Sequence, residues 1–341
     1  MSKYFYSESA PVAPVELEQV RTIAISRRAN KVTTEDFATP LAGSGSRAFF
    51  ESLPNQLKAK DLNKFLELVT QARRAGLPFH MMMGAHLIKV GLNPIVIDLM
   101  KRGIVTGISF NGAGVIHDLE LAYFGGTSES VEKGINDGTF GMARETAELF
   151  NAAVSYASKL AAGLGYGAGK FILKEKAPNS SQSILAVAAK LKLPATIHVA
   201  IGADIVAQNP GFSGSMIGEL SHYDFKILCA VLQKADQGGV VANIGSISLL
   251  PEVFLKALTV SRNLNKKTKT KTGEIITANF DMIPSYRPSQ NVVLRPTMKT
   301  GLGFDFSGHH EIMIPLLAWG LKGKLSKNAV SKPSSKTSPK K

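Results

Sequence analysis

Apolar residues arrive along this chain in short β-branched or methionine-rich runs. Each run is followed by glycine and then by apolar positions at three- and four-residue spacing. Residues 79–83 (FHMMM) form one such run, ending in Gly84. Leu87, Ile88, Val96, Ile97 and Met100 then recur at helical spacing. Lys101, Arg102 and Gly103 follow, as cations and glycine commonly close a helix C-terminus. A second run, 104–110, ends in Asn111-Gly112-Ala113-Gly114, and a helix carrying His117, Asp118 and Glu120 comes next. Further strands are predicted over 194–201, 239–244 and 275–279, with helices over 183–191, 223–235 and 251–263. Strands alternating with helices predict an α/β fold, a doubly wound and mostly parallel sheet with helices on both faces.

Elsewhere the pattern is less regular. Residues 46–76 read as helical, with Asp61 as a cap and Gly76 as a stop, and 142–163 as an alanine-rich helix. The four glycines between 163 and 169 read as a break between helices, since no strand precedes LGYGAGK and no GK[ST] ends it. Residues 134–141 and 287–291 read as loops, and 213–219 as a small-residue turn. His309-His310-Glu311 feeds an apolar terminal helix. The organisation expected is an irregular arm over 1–45, one α/β domain over 46–322 and a disordered basic tail over 323–341. Tyr4, Phe5 and Tyr6 would dock the arm onto the body or a neighbouring subunit.

Composition narrows this picture. A chain of 341 residues suits one large α/β domain with a sizeable core. No apolar run approaches the ~20 residues that span a bilayer, and the N-terminus lacks the apolar core of a secretory signal. The single cysteine, Cys229, sits in ILCAVL and is expected to be a buried, inert thiol. Cytoplasm is the expected compartment. The net charge of +14 is concentrated: seven lysines lie between Lys322 and Lys341, and Lys266, Lys267, Lys269 and Lys271 add four. Without these eleven lysines the remainder carries +3, so no specific nucleic-acid partner is expected.

The glycines after each strand are the first chemical signal. Turns without β-carbons let a ligand approach the backbone, and the next helix points unpaired N–H groups at it. Gly84-Ala85-His86 and Asn111-Gly112-Ala113-Gly114 are therefore candidate nucleotide contacts, although tight packing also asks for glycine. His117, at a helix start, suits a general base near neutral pH or a plain hydrogen bond to a neighbouring loop. Glu252 begins a helix, where a carboxylate also favours the macrodipole. His198 alternates with apolar neighbours, as a core histidine would. Adjacent helical residues point about 100° apart, so His309, His310 and Glu311 cannot all face one metal from a helix.

Several segments, in order, resemble deoxyhypusine synthase. HMMMGAHLIKVGL is similar to that family's early cofactor-binding strand and helix, and ISFNGAGVIHDL to its Thr-Ala-Gly-Gly-acid segment. AIGADIV and VVANIGSISLLPEVF fall at its aspartate-bearing loop and glycine-rich strand end. TANFD and HHEIMIPLL resemble its last cofactor loop and terminal helix. The likeness covers roughly 78–320. It implies a doubly wound sheet binding NAD, built as a homotetramer with sites at subunit interfaces. The family moves an aminobutyl group from spermidine to an acceptor amine, with an imine carried on a lysine. By position, Gly84, Ala85, His86, Asn111, Gly112, Ala113 and Gly114 would border the dinucleotide. Asp204, Gly245, Ser246, Thr277, Ala278 and Asp281 would complete its pocket. His117, Asp118 and Glu252 would be catalytic. The chain departs from the pattern in having no lysine over 246–252, Lys256 a helical turn later, and His117 at the acidic base position. Lys89, where the family has serine, could pair with a cofactor phosphate.

Three function classes follow. One is an NAD-dependent enzyme on a polyamine or related amine, by aminoalkyl transfer or amine oxidation and not as a true deoxyhypusine synthase. In it Asp118, Glu120 and Glu252 would hold the cation. A second is a metal-dependent hydrolase using His86, His117, His198, His309 and His310, although no compact HxxxH or HExxH is present. The third is a non-catalytic NAD-binding oligomer. The first is the expectation carried forward.

Overall fold

A computed structural model describes Val15, residues 17–270 and residues 272–325. Tyr4, Phe5 and Tyr6, Lys271 and residues 326–341 lie outside the described residues. Residues 17–44 run as short 3-10 turns whose side chains are exposed, Asp36 alone being half-buried. Helices α1 (Gly45–Ser52) and α2 (Leu57–Arg74) lead into strand β1 (Phe79–Met83). Then come α3 (His86–Lys89), α4 (Asn93–Lys101), β2 (Gly107–Asn111) and α5 (Gly112–Phe124). Helices α6 (Val131–Asp137), α7 (Arg144–Lys159), α8 (Leu164–Lys174) and α9 (Ile184–Leu191) precede β3 (Ala195–His198). The second half runs α10 (Gly214–Ala235), β4 (Val240–Ile244), α11 (Leu249–Lys267) and β5 (Ile276–Asp281). It ends with the short α12 (Tyr286–Pro288), a π-helical segment (Ser289–Leu294), β6 (Leu302–Ser307) and α13 (His310–Leu325).

The strands form one parallel sheet in the order β3-β2-β1-β4-β5-β6. Successive crossovers run outward from β1, then reverse between β1 and β4, which makes the sheet doubly wound. One face is apolar. Met81, Met83, Phe110, Ile244, Phe280 and Phe306 pack there against α2, α4, α9 and α13, and Phe65 of α2 lies 5.6 Å from Phe304 and 5.9 Å from Phe280, ring to ring. The opposite face, under α10 and α11, is partly polar. His80 meets Ser109 at 2.7 Å, Ser109 meets Thr196 at 2.6 Å, and Thr196 meets His198 at 3.1 Å. A second ladder crosses the other half: Asn243 donates to Asn279 (2.8 Å), and Asn279 and Ser289 donate to Asp305 (2.9 and 2.7 Å). Burial there makes each of these polar groups costly unless paired, and most are.

The expected strands are present, with β1 spanning the residues the apolar run marked. β6 was not foreseen. The break between α7 and α8 falls at residues 160–163, with Gly163 as the N-cap of α8, whereas Gly165, Gly167 and Gly169 lie inside α8. A Cβ at Gly165 would stand 2.2 Å from the Ala195 carbonyl oxygen, and one at Gly169 2.2 Å from that of Leu185. These glycines serve close packing of α8 on the sheet and on α9. Residues 287–291 are helical, not loop, and 213–219 hold the first turn of α10, whose N-cap Ser213 accepts from Met216 N at 3.4 Å. Residues 46–76 form two helices, with Asp61 inside α2 rather than capping it. Cys229 is buried between α10 and α11, which pushes its thiol up to about 11. No helix of the described residues is long and apolar enough to cross a membrane.

Candidate active site at the strand ends

The sheet's reversal point puts the ends of β1 and β4 side by side. Gly84 N donates to Ile244 O at 2.8 Å, and Gly245 N to Phe280 O at 3.0 Å. Here glycine is required: a Cβ on Gly84 would stand 2.0 Å from the Gly245 carbonyl oxygen, and Gly245 has φ +61. Gly84→Ala is therefore expected to cost about 1–3 kcal/mol as two backbones are forced apart. Gly218→Ala in α10, where the added carbon meets nothing within 4 Å, should be neutral or stabilising. Urea unfolding of the two proteins checks this; equal midpoints would show that the β1–β4 seam is slack.

His310, at the start of α13, lies over Gly245, and its ring centroid is 5.4 Å from that of His86. Its Nε2 donates to Phe280 O at 3.1 Å, which leaves Nδ1 buried without a partner. Asp281, at the end of β5, accepts from its neighbour Met282 N at 2.8 Å through Oδ1, while Oδ2 is also buried and unpartnered. Burial, and then the neighbouring His310, hold His86 below the usual imidazole range. Burial pushes the Asp281 carboxyl up.

The turn after β2 is closed from within. Asn111 Oδ1 accepts from Gly114 N at 3.0 Å. The Asp204 carboxylate, brought by the segment after β3, accepts from Ala200 N at 3.1 Å and from the backbone of Ala113. A Cβ on Gly112 would stand 2.0 Å from Asp204 Oδ2. Asp204 thus takes the place an anion would occupy at the N-terminus of α5. Burial raises its pKa against the pull of those N–H donors.

Beside this turn lies a cavity of about 220 Å³, lined among others by Lys89, His117, Glu120, Ser128, Glu129 and Asp204. His117 Nδ1 is 2.5 Å from Thr127 Oγ1. Thr127 donates to Glu120, which also accepts from Thr146 Oγ1 at 2.7 Å. Burial raises the Glu120 pKa, but hydrogen bonds from His117, Thr127 and Thr146 outweigh it and hold the carboxyl below its usual range. Helix α3 separates the cavity from the Gly84–Gly245 crevice, with His86 beside His310 and Lys89 lining the cavity. A larger cavity of about 630 Å³, between α1, α2 and α13, contains none of the sequence-predicted residues.

Other predicted residues fall elsewhere. Asp118 is fully buried and turned away from the cavity, accepting from Ser183 Oγ (2.6 Å), Ile184 N (2.8 Å) and Leu185 N (3.1 Å) at the start of α9. Glu252 lies on the surface of α11, paired with Lys256, with Asn291 at 2.7 Å and with Arg287 at 3.6 Å. Thr277 and Ala278 are buried within β5, short of its end, on opposite faces of the sheet. Ser246 Oγ accepts from Leu250 N at 3.3 Å, capping α11. His309 is exposed beside Glu311 (3.7 Å) while His310 is buried, so the triplet diverges. Among the described residues no group of three or more His, Cys, Asp or Glu side chains could hold a metal ion. Sequence reasoning did not single out Thr127, Glu129 or Thr146. The spacing of His117 and Glu120, one turn apart, was the available clue.

No protein-family model matches the chain, and no curated protein matches it. Among solved structures it is similar to AgrE in ternary complex with ornithine and NAD+, at 12% identity and TM-score 0.52, over 78% of this chain and 33% of that one. It is similar also to AgrE bound to L-arginine, at 13% and 0.51, over 84% and 35%. A putative deoxyhypusine synthase from Entamoeba histolytica is 10% identical, with TM-score 0.47, over 85% of this chain and 97% of its own. The chain spans about a third of the length of AgrE. At such identities the likeness is one of fold: this chain shares the α/β parallel-sheet architecture of a protein solved with ornithine and NAD+.

Proposed function

We propose that the protein is an NAD-dependent enzyme acting on a polyamine or related amine, related to deoxyhypusine synthase in fold and chemistry but not a true deoxyhypusine synthase. One observation carries the reading: a small cavity with three carboxylates, one lysine and a histidine opens at the strand ends, one short helix away from a glycine crevice at the sheet's reversal point. Ligands of open α/β sheets bind in that crevice.

At the crevice Gly84 and Gly245 bring two backbones together under the His310 ring, and Asp281 Oδ2 and His310 Nδ1 are buried polar atoms without partners that a dinucleotide's polar groups would satisfy. The N-terminus of α5 does not fit a phosphate, because Asp204 and Asn111 already take its donors. Gly84, Ala85, His86, Gly245, Ser246 and Asp281 would therefore hold the cofactor, and Lys89, lining the neighbouring cavity, would pair with a phosphate. When bound, NAD supplies a hydride acceptor.

The chain's own groups do the rest. Asp204, Glu129 and Glu120 set a negative potential that favours an ammonium ion in the cavity. His117 receives the proton that the ammonium must shed before hydride can leave the adjacent carbon. Lys256 is exposed and paired with Glu252, so it does not serve as an imine-forming lysine at the strand ends. Amine oxidation needs no such lysine and is the form of the reaction favoured here.

Calorimetric titration with NAD+ and nicotinamide absorbance across a panel of diamines and polyamines test this. Saturable NAD+ binding and amine-dependent reduction are expected, the latter lost in His117→Ala. Absence of NAD+ binding, or a reduction rate unchanged in His117→Ala, overturns the reading.

A further inference from the structure

We infer that Glu120 and Thr127 are positioning residues that fix His117 as its Nδ1–H tautomer, leaving Nε2 as the basic atom at the cavity. The inference deepens the reading of the cavity as the reaction site, and it follows from counting protons.

A threonine hydroxyl has one proton to give. Thr127 lies within hydrogen-bond reach of both His117 Nδ1 (2.5 Å) and Glu120. The Glu120 carboxylate can only accept, and Thr146 Oγ1 donates to its other oxygen at 2.7 Å. Thr127 must then spend its proton on Glu120. Its oxygen is left as an acceptor, and the only proton available to fill the short contact to His117 is one on Nδ1. The neutral imidazole therefore carries its hydrogen on Nδ1, and its lone pair is on Nε2. That atom has no protein partner among the described residues. Proton transfer to that atom breaks one N–H bond of a bound ammonium, forms Nε2–H with the imidazole lone pair, and leaves the old bonding pair on the amine nitrogen.

Local structure supports a built arrangement. His117 and Glu120 share one face of α5, and Thr127 follows the helix's left-handed cap, Gly125 at φ +70. Gly126 and Ser128 complete the turn that folds Thr127 back over the helix. Ser128 has φ +72, a conformation costing a side-chain-bearing residue about 1 kcal/mol. It sits on the cavity lip. Thr146 of α7 holds the second oxygen of Glu120, so the carboxylate is pinned from α7 and from the turn after α5.

The test reads the tautomer directly, from nitrogen-15 shifts of His117 in the folded protein at a pH where the ring is neutral, assigned by comparison with His117→Ala. The wild type and Thr127→Ser should show protonated Nδ1 and unprotonated Nε2. Thr127→Val with Glu120→Leu removes both acceptors near Nδ1, the second being Glu120 Oε2 at 3.5 Å, and Glu120→Gln lets an amide donate to Thr127 and so frees its hydroxyl to donate to Nδ1. Both should move the population to Nε2–H. Their amine-dependent rates should fall by about 10²–10⁴-fold, the range of general-base catalysis and of a histidine held in the wrong tautomer, and Thr127→Ser should restore the rate. A wild type with protonated Nε2, or an unchanged tautomer in both the Thr127→Val/Glu120→Leu protein and Glu120→Gln, overturns the inference. No substrate enters the tautomer measurement, so its failure is distinct from failure of the amine-oxidation reading.

Discussion

Wild type is expected to lose its stability margin over a His80→Gln protein as the pH falls from 6.5 towards 3, at about 1.4 kcal/mol per pH unit. His80 is fully buried in the sheet, and burial, then the neighbouring His198, lowers its pKa from 6.5 to about 3. The unfolded chain takes up a proton on His80 below 6.5, whereas the folded chain does so only near 3. Between those values the unfolded state binds more protons, so stability falls as pH falls. The glutamine variant keeps an amide near Ser109 but has no proton to take up, so its curve lacks that slope. His198, lowered to about 4 by burial, adds a second slope over a narrower window. The comparison with a variant is essential. Burial pushes Asp118 up to about 6 and Asp224 to about 7, and a raised carboxyl stabilises the folded state as pH falls through that value, flattening the wild-type curve. Urea midpoints measured across this range decide the matter: parallel curves for the two proteins would mean that His80 titrates normally in the fold.

Arg262→Ala should cost about 3–5 kcal/mol, because it strands a buried carboxylate. Asp236 follows α10 and is wholly buried, and Arg262 of α11 grips both its oxygens, at 2.8 and 3.0 Å. The same guanidinium donates to Pro296 O at 2.7 Å, so one side chain ties α10, α11 and the segment before β6 together. The joint lies at the start of β4, the opposite end of the sheet from the cavity. Thermal and urea unfolding should show the loss, while NAD+ affinity of the folded fraction stays unchanged. In the double variant Arg262→Met with Asp236→Leu, apolar groups replace the pair and most of the stability should return. A single variant as stable as wild type, or a double variant worse than the single, contradicts this account.

Much of the parallel sheet was legible because a buried strand leaves a simple record. FHMMM and VVANI are short apolar runs ended by glycine, and they became β1 and β4. β6 left a fainter one. Leu302 and Ser307 are exposed, and the strand lies at the sheet edge flanked by glycines that read as turn residues. Gly165, Gly167 and Gly169 misled for a related reason: a glycine that admits a neighbouring backbone looks, in one dimension, like a glycine that turns the chain. The site was legible where it is local. Gly84 and Gly245 meet, and His117 reaches the cavity. What could not be read is long-range capping. Asp118 serves α9 some 65 residues away, and Asp224 serves the start of α8, accepting from Gly165 N at 2.9 Å, 59 residues away. A carboxylate in a helix pattern carries no mark of the distant helix whose end it closes.

The two polar ladders across the inner face of the sheet have a mechanical consequence. Each is satisfied in a single alignment of its strands. Sliding β4 by one position would turn Asn243 into the apolar layer beneath α13 and present Ile244 to Asn279 in its stead. In a slab whose strands are otherwise interchangeable aliphatic ribbons, these amide and hydroxyl links act as an index mark. They fix β1 against β2 and β3, and β4 against β5 and β6; across the seam the backbone pairing of Met83 with Ile244 then brings the two bare glycyl corners to the same height.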